Sequence, residues 1–134
     1  MEERDRHFVG NVAQKAIIEC EGKVLVCRGV GDTVWEFPGG RLHTGETPLD
    51  GIAREIKEEL GLTIQNVRPF QVIPSFHFKS NTQQVFVAYV CTCDSPAFNA
   101  DETEVEEGKW ITKEELKTLP MFDDCRAVAD EFLK

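Results

Sequence analysis

Between Thr47 and Gly61 the chain spells out a helix with both of its ends marked. Thr47 suits the N-cap, because its hydroxyl can accept from a free backbone N–H of the first turn. Pro48 follows at the first helical position, where a missing N–H costs nothing. Gly61 stands just past the last turn, where a left-handed residue closes a helix. Ile52, Ala53, Ile56 and Leu60 fall at helical spacing and predict one apolar stripe, with Leu49 on the same side. A helix over 47–60 with such a stripe needs a second layer to cover it.

The same segment carries Glu55, Glu58 and Glu59 at i, i+3 and i+4, which predicts that all three project from one face, opposite most of the stripe. Like charges so placed disfavour a helix by roughly 0.2–0.5 kcal/mol per pair, and a divalent cation reverses that sign. Magnesium takes oxygen ligands, keeps several waters and is usually held by a few carboxylates plus substrate phosphates. Zinc favours Cys and His, so the three glutamates suit magnesium better. Arg54 lies one turn before Glu58 and can hold a carboxylate in one orientation. A Glu-rich helix surface alone is usually a solvated face, but that does not explain the fixed distances to Gly40, Glu46, Arg54 and Gly61.

From Gly40 the chain reads Gly, five residues, Glu46, seven residues, Arg54-Glu55, Ile56, one residue, Glu58-Glu59, one residue, Gly61, Leu62. This resembles the Nudix box at every fixed position. The resemblance implies a Nudix-type α/β/α sandwich with a mixed sheet, one domain over 1–134. It is strongest from Val24 to Leu62 and weak after Pro96.

The order of elements read along the chain agrees with that implication. Val12–Cys20 and Lys23–Arg28 are strands joined by a two-residue turn at Glu21-Gly22. Gly29–Thr33 is a loop. Trp35-Glu36-Phe37 is a short strand that Pro38-Gly39-Gly40 breaks. After the box helix, Thr63–Phe78 is extended and interrupted near Pro69 and Pro74, and Gln83–Cys93 is a strand. Val105–Ile111 is another, Thr112 to Glu115 forms a capping box for a short helix, and Asp123–Leu133 is a last helix with Val128 and Phe132 on one face. Strands and helices in this order give an α/β chain with helices on a mixed sheet.

The net charge of −9 argues against a long nucleic acid partner, which wants a basic stripe. It does not argue against a small anionic substrate, because bound metal ions invert local charge. No apolar run approaches the ~20 residues of a membrane helix, and the charged start, Met1 to Arg6, has no signal-peptide core. No membrane partner and a cytoplasmic location are therefore expected. The five cysteines are odd in number, lack zinc spacing and read as reduced, mostly buried thiols.

The resemblance also implies roles for single residues. The carbonyl just before the box glycine often joins the metal shell in Nudix enzymes, which points to Gly39. Glu55, Glu58 and Glu59 would be catalytic metal ligands, with Gly40, Glu46 and Arg54 fixing the loop and helix that carry them. Magnesium, or manganese in its place, is the implied cofactor. One further carboxylate commonly follows the box, often several residues before a tryptophan. Of Glu102, Glu104, Glu106 and Glu107, Glu104 ranks first because it precedes Trp110 in that manner, and Glu107 second. An arginine at the position of Arg28 commonly reaches phosphate oxygens. The aromatic at Phe37 lies near the base in MutT-like members, and Phe76, His77 and Phe78 could line a base pocket.

The implied function is magnesium-dependent hydrolysis of a diphosphate bond in a small nucleotide. A MutT-like conversion of (d)NTP to (d)NMP and pyrophosphate comes first. An ADP-ribose or nucleoside diphosphate–sugar pyrophosphatase comes second. A non-catalytic nucleotide sensor usually loses box glutamates and gains a DNA-binding extension, and this chain does neither. RNA end processing should want basic patches. Many Nudix proteins are dimers, and no interface signature is visible in this chain, so a homodimer stays open.

Overall fold

The structure, a computed structural model, describes residues 2 and 5–134. Met1, Glu3 and Arg4, part of the charged start considered above, lie outside the described residues. Strand β1 (Asn11–Cys20) turns at Glu21 and Gly22 into β2 (Lys23–Gly29). Both turn residues have positive φ, 53° and 79°, the twist that suits a two-residue hairpin. Then come β3 (Gly39–Arg41), α1 (Pro48–Leu60), β4 (Ile64–His77) and β5 (Thr82–Cys93). The chain closes with β6 (Val105–Thr112), α2 (Lys113–Leu116) and α3 (Asp123–Phe132).

The sheet runs β4-β5-β1-β2-β6, with β3 also paired to β1. Among the described strands β1 and β5 pair parallel and the other pairs are antiparallel, so the sheet is mixed. One face packs Ala13, Ile17, Phe37 and Phe86 against Val128 and Ala129 of α3. The other packs Ala16, Ile18 and Leu25 against Ile52, Ile56 and Leu60 of α1. This is the expected α/β/α layering. Each fully buried Ile or Leu of α1 contributes about 1.5–3 kcal/mol to that contact.

Three local expectations change. The segment Trp35–Phe37 forms only isolated bridges, while the strand proper runs through Gly39 and Gly40, because Ala13, Gln14 and Lys15 of β1 pair with Arg41, Gly40 and Gly39. Pro74 does not interrupt β4; it pairs with Val85 in register, as edge strands allow, and the shifts lie around 65–71. The stripe of α1 consists of Ile52, Ile56, Glu59 and Leu60, with Ala53 and Leu49 exposed. Among the described residues no helix is long and apolar enough to cross a membrane.

Candidate active site

The box segment holds itself in place before it does any chemistry. Thr47 Oγ1 accepts from Asp50 N–H at 3.2 Å, and Gly61 closes α1 with φ 66°. Glu46 accepts two hydrogen bonds from Arg54, at 2.8 and 2.9 Å, and one from the His43 N–H at 2.7 Å. Those bonds, Arg54 first, hold the Glu46 carboxyl down at about 2. Arg54 also donates to Glu55 at 3.1 Å and Glu58 at 3.2 Å. One guanidinium therefore ties the loop before α1 to two carboxylates on it.

The three box glutamates do not share one environment. Glu58 stays on the exposed surface with Arg54. Glu55 is mostly covered and lies against Gly40: a Cβ at that glycine would fall 2.5 Å from Glu55 Cδ. Glu59 belongs to the inward stripe, is 7% exposed, and makes no side-chain hydrogen bond among the described residues. Burial pushes its carboxyl up to about 8, with Lys15 opposing and Glu55, Glu36 and Glu104 adding to the shift.

Lys15 is the charge that spacing did not reveal. It points from the central strand β1, and Nζ donates to Glu36 Oε1 at 2.7 Å and to the Gly39 carbonyl at 3.3 Å. Burial alone would lower its pKa, yet the carboxylates of Glu36 and Glu59 hold the ammonium above the ordinary lysine value. The signal was there in the residues: a strand buried on both faces has no ordinary place for a lysine. Gly39 itself has φ 147°, and a Cβ there would meet Gln14 O at 2.0 Å, so only glycine lets the backbone run this close.

The loop after β5 closes the far end of α1. Asn99 N–H donates to Leu60 O at 2.9 Å and Asp101 N–H to Glu59 O at 2.7 Å, satisfying carbonyls that a helix end leaves open. Glu104 follows, its own N–H bound to Asp101 O at 3.0 Å. Its carboxylate lines a groove of about 1200 Å³ together with Lys15, Glu36 and Gly40. Glu106 and Glu107 are instead paired with Arg28, and Glu102 is exposed beyond the groove wall.

Other expected positions fall elsewhere. Arg28 is committed to Glu106, Glu107 and the Asp32 carbonyl and does not line the groove. Phe37 is fully buried in the core and has no surface to offer a base, because its strand neighbours place it beneath α3. Phe76, His77 and Phe78 do line the groove, with the two phenyl rings edge to face at 5.0 Å. Next to Phe76, Gln84 Nε2 donates to Ser75 Oγ at 3.1 Å and Ser75 Oγ donates to Asp124 Oδ2 at 2.8 Å, which ties β4 and β5 to α3.

Among the described residues, no three His, Cys, Asp or Glu side chains stand close enough to form a finished cation cage. The donor set nevertheless fits a hard divalent cation. Glu104 lines the groove, Glu55 lies against Gly40 of its lining, the Gly39 carbonyl is one residue before that glycine, and Glu59 is a buried carboxylate without a hydrogen bond, so the candidate donors are all oxygens.

A family model described as NUDIX domain matches residues 12–132. The nucleoside triphosphatase NudI of Enterobacter sp. strain 638 is 33% identical over 124 residues, 82% of this chain and 87% of that protein. A MutT-like protein of Streptomyces ambofaciens is 31% identical over 102 residues, covering 75% of this chain and 62% of that one. The crystal structure of a MutT NUDIX hydrolase from Burkholderia pseudomallei superposes with a TM-score of 0.79 at 21% identity, over 90% of this chain and 95% of its own.

Proposed function

The chain belongs to the Nudix family, whose hydrolases act on pyrophosphate bonds of nucleotides, and we propose that it converts a (d)NTP to the (d)NMP and pyrophosphate. The observation that carries this reading is the buried carboxylate of Glu59, which has no hydrogen bond and feels the charges of Lys15, Glu55, Glu36 and Glu104, beside a groove that Lys15, Glu36 and Glu104 line and that is large enough for a nucleotide. The name of the Enterobacter relative, a nucleoside triphosphatase, supports the choice of substrate class.

Glu55, Glu59, Glu104 and the Gly39 carbonyl would hold a divalent ion, magnesium by our reading, with manganese able to replace it. When bound, such an ion neutralises diphosphate oxygens and makes a water easier to ionise. Glu46 and Arg54 keep Glu55 and Glu58 in one orientation before substrate arrives. Glu58, Glu59 or Glu104 takes the proton of the attacking water. The water oxygen forms a bond to phosphorus, the bridging P–O bond breaks, and pyrophosphate leaves with the bridging electrons. Lys15 places a fixed positive charge at the groove end of the glutamates, beside the Gly39 carbonyl. A cytoplasmic location is part of the reading and suits five cysteines that are all free thiols.

The test is a substrate panel in magnesium, with products identified by phosphorus NMR: canonical and oxidised nucleoside triphosphates, ADP-ribose, sugar nucleotides and dinucleoside polyphosphates. Pyrophosphate release from a triphosphate, abolished in Glu59→Gln and reduced in Glu58→Gln, is the expected result. Cleavage of ADP-ribose or a sugar nucleotide alone would replace the triphosphate reading with that of a diphosphate pyrophosphatase. Tight binding of nucleotides without turnover would make the chain a sensor.

A further inference from the structure

On the groove face of the sheet, a second group of charged side chains stands apart from the glutamates. Arg41 is the last residue of β3 and is paired with Ala13, while Gly39 is paired with Lys15. Directly opposed residues share a face, so the Arg41 side chain leaves the sheet on the side of Ala13 and Lys15. His77 ends β4, and Lys79 lies in the turn between β4 and β5. Arg41, His77 and Lys79 all line the groove that holds Lys15, Glu36 and Glu104.

Arg41 and Lys79 are unlike most cations of this chain. The protein carries a net charge of −9, and its lysines and arginines commonly find a carboxylate, as Lys15, Arg28, Arg54 and Arg126 do. Among the described residues neither the Arg41 nor the Lys79 side chain makes an ion pair or a hydrogen bond. Their charges converge on His77: burial lowers its pKa first, and Arg41, Lys79 and Lys15 lower it further. His77 is also oriented. The Ser80 N–H donates to His77 Nδ1 at 3.2 Å, and the Ser80 hydroxyl lies 2.6 Å from the same nitrogen. A backbone N–H requires a lone pair on Nδ1, so in the neutral ring the proton is on Nε2, which remains a donor. The group offers a guanidinium, an ammonium and an imidazole N–H, and no acceptor.

Its position relative to the chemistry is set by β3. Gly40 is the glycine against which the Glu55 carboxylate rests, and Arg41 is the next residue. Successive strand residues face opposite ways, so Arg41 leaves β3 on the face of Lys15, and a phosphate chain that reaches these donors runs along the groove that Lys15 and Glu104 also line. We infer that Arg41, His77 and Lys79 form a subsite for the terminal phosphate of a triphosphate, the group beyond the bond that is cut. The inference rests on the triphosphate reading above and deepens it. ADP-ribose and sugar nucleotides present an uncharged sugar at that place, so the subsite favours triphosphates over them by charge. The triphosphate can belong to a free nucleotide or to the 5′ end of an oligonucleotide, since the chemistry of the terminal phosphate is the same.

The test compares the wild type with Arg41→Gln/Lys79→Gln, and with Lys23→Gln as a control that removes an exposed cation outside the groove. Each is assayed on the triphosphate that the panel selects, on a 5′-triphosphorylated oligonucleotide and on ADP-ribose, and inorganic triphosphate binding is measured by calorimetry. The double variant should raise KM for the free triphosphate roughly tenfold, the scale of one lost charge-assisted contact, with kcat unchanged. Inorganic triphosphate should bind more weakly by a similar factor, KM for ADP-ribose should not move, and Lys23→Gln should match the wild type. Arg41→Lys with Lys79 intact should recover most of the loss. Unchanged KM and unchanged binding of inorganic triphosphate would overturn the subsite. So would a loss confined to the oligonucleotide, which would assign the cations to a nucleic-acid backbone. If the wild type cleaves no triphosphate at all, the proposed function fails, while the binding of inorganic triphosphate to wild type and double variant still decides the subsite.

Discussion

Replacing Gly40 by alanine should disable the enzyme without unfolding it. The added Cβ would lie 2.5 Å from Glu55 Cδ and 2.6 and 2.7 Å from the two carboxylate oxygens. Comfortable contact begins near 3.5 Å, so the carboxylate has to retreat by roughly 1 Å. A misplacement of that size at a reacting centre costs on the order of 100-fold in rate, or about 2.7 kcal/mol of transition-state stabilisation. Stability should respond much less. Gly40 does not have a positive φ, so alanine fits its backbone and restricts the unfolded chain, a gain of about 0.4–1 kcal/mol. The group displaced is the end of a flexible side chain, so the two effects nearly offset and Tm should stay within about 4 °C. The assay is kcat/KM on the triphosphate chosen by the panel, beside thermal unfolding of the same samples. Because the clash acts through Glu55, Gly40→Ala and Glu55→Gln should be strongly non-additive, the double variant being little worse than either alone. Wild-type kcat/KM in Gly40→Ala, or additive losses in the double variant, would refute the reasoning. Gly39→Ala provides the contrast: its Cβ would strike the Gln14 carbonyl at 2.0 Å, and backbone cannot step aside, so that variant should lose the fold.

Three further outcomes follow from the charges. The Glu59 carboxyl binds its proton more tightly in the fold, with a pKa of about 8, than in the unfolded chain, so metal-free protein should lose stability as pH rises from about 4.5 to 8. Tm of Glu59→Gln should be flatter over that window, and added magnesium should raise Tm of the wild type most at its alkaline end. Glu46 behaves oppositely: its carboxyl is held down at about 2, so its contribution is present above about 4.5 and disappears as pH falls towards 2. Acid unfolding should show Glu46→Gln less stable than the wild type at neutral pH and equal to it near the acid limit. Arg28→Ala should leave KM for triphosphates unchanged, because its guanidinium is spent on Glu106 and Glu107; a large rise in KM would place it on the substrate after all.

What was legible in the sequence is what local chemistry decides. Thr47, Pro48 and Gly61 mark the ends of α1 by backbone geometry alone, and the structure places the helix at Pro48–Leu60. The hairpin at Glu21-Gly22 is equally local. The strand β3 was not legible, because two glycines carry no strand preference and the pairing comes from β1, more than twenty residues earlier in the chain. The inward turn of Glu59 was missed for a different reason. The i, i+3, i+4 spacing of the three glutamates was read as one face opposite the stripe, but seven residues are almost two whole turns, so position 59 comes back beside Ile52 and is buried with it. At Phe37 residue type and resemblance pointed different ways: a large aromatic is most often core, the resemblance implied a base contact, and the side chain is fully buried in the core.

Lys15 shows where reading by motif stops and why. It lies outside the box, in a strand whose neighbours Ala16, Ile17 and Ile18 are fully buried. A buried ammonium is tolerated only where carboxylates surround it. Its position therefore carries information about other parts of the chain: some acid must meet that face of β1. The structure supplies Glu36 directly and Glu59 nearby, and the Gly39 carbonyl accepts from the same ammonium. The box glutamates and β1 are thus coupled through one cation that the protein carries itself. A charged residue that breaks an apolar strand pattern is a pointer to the site, independent of the box, and in this chain the two pointers meet in the interaction of Lys15 with Glu59.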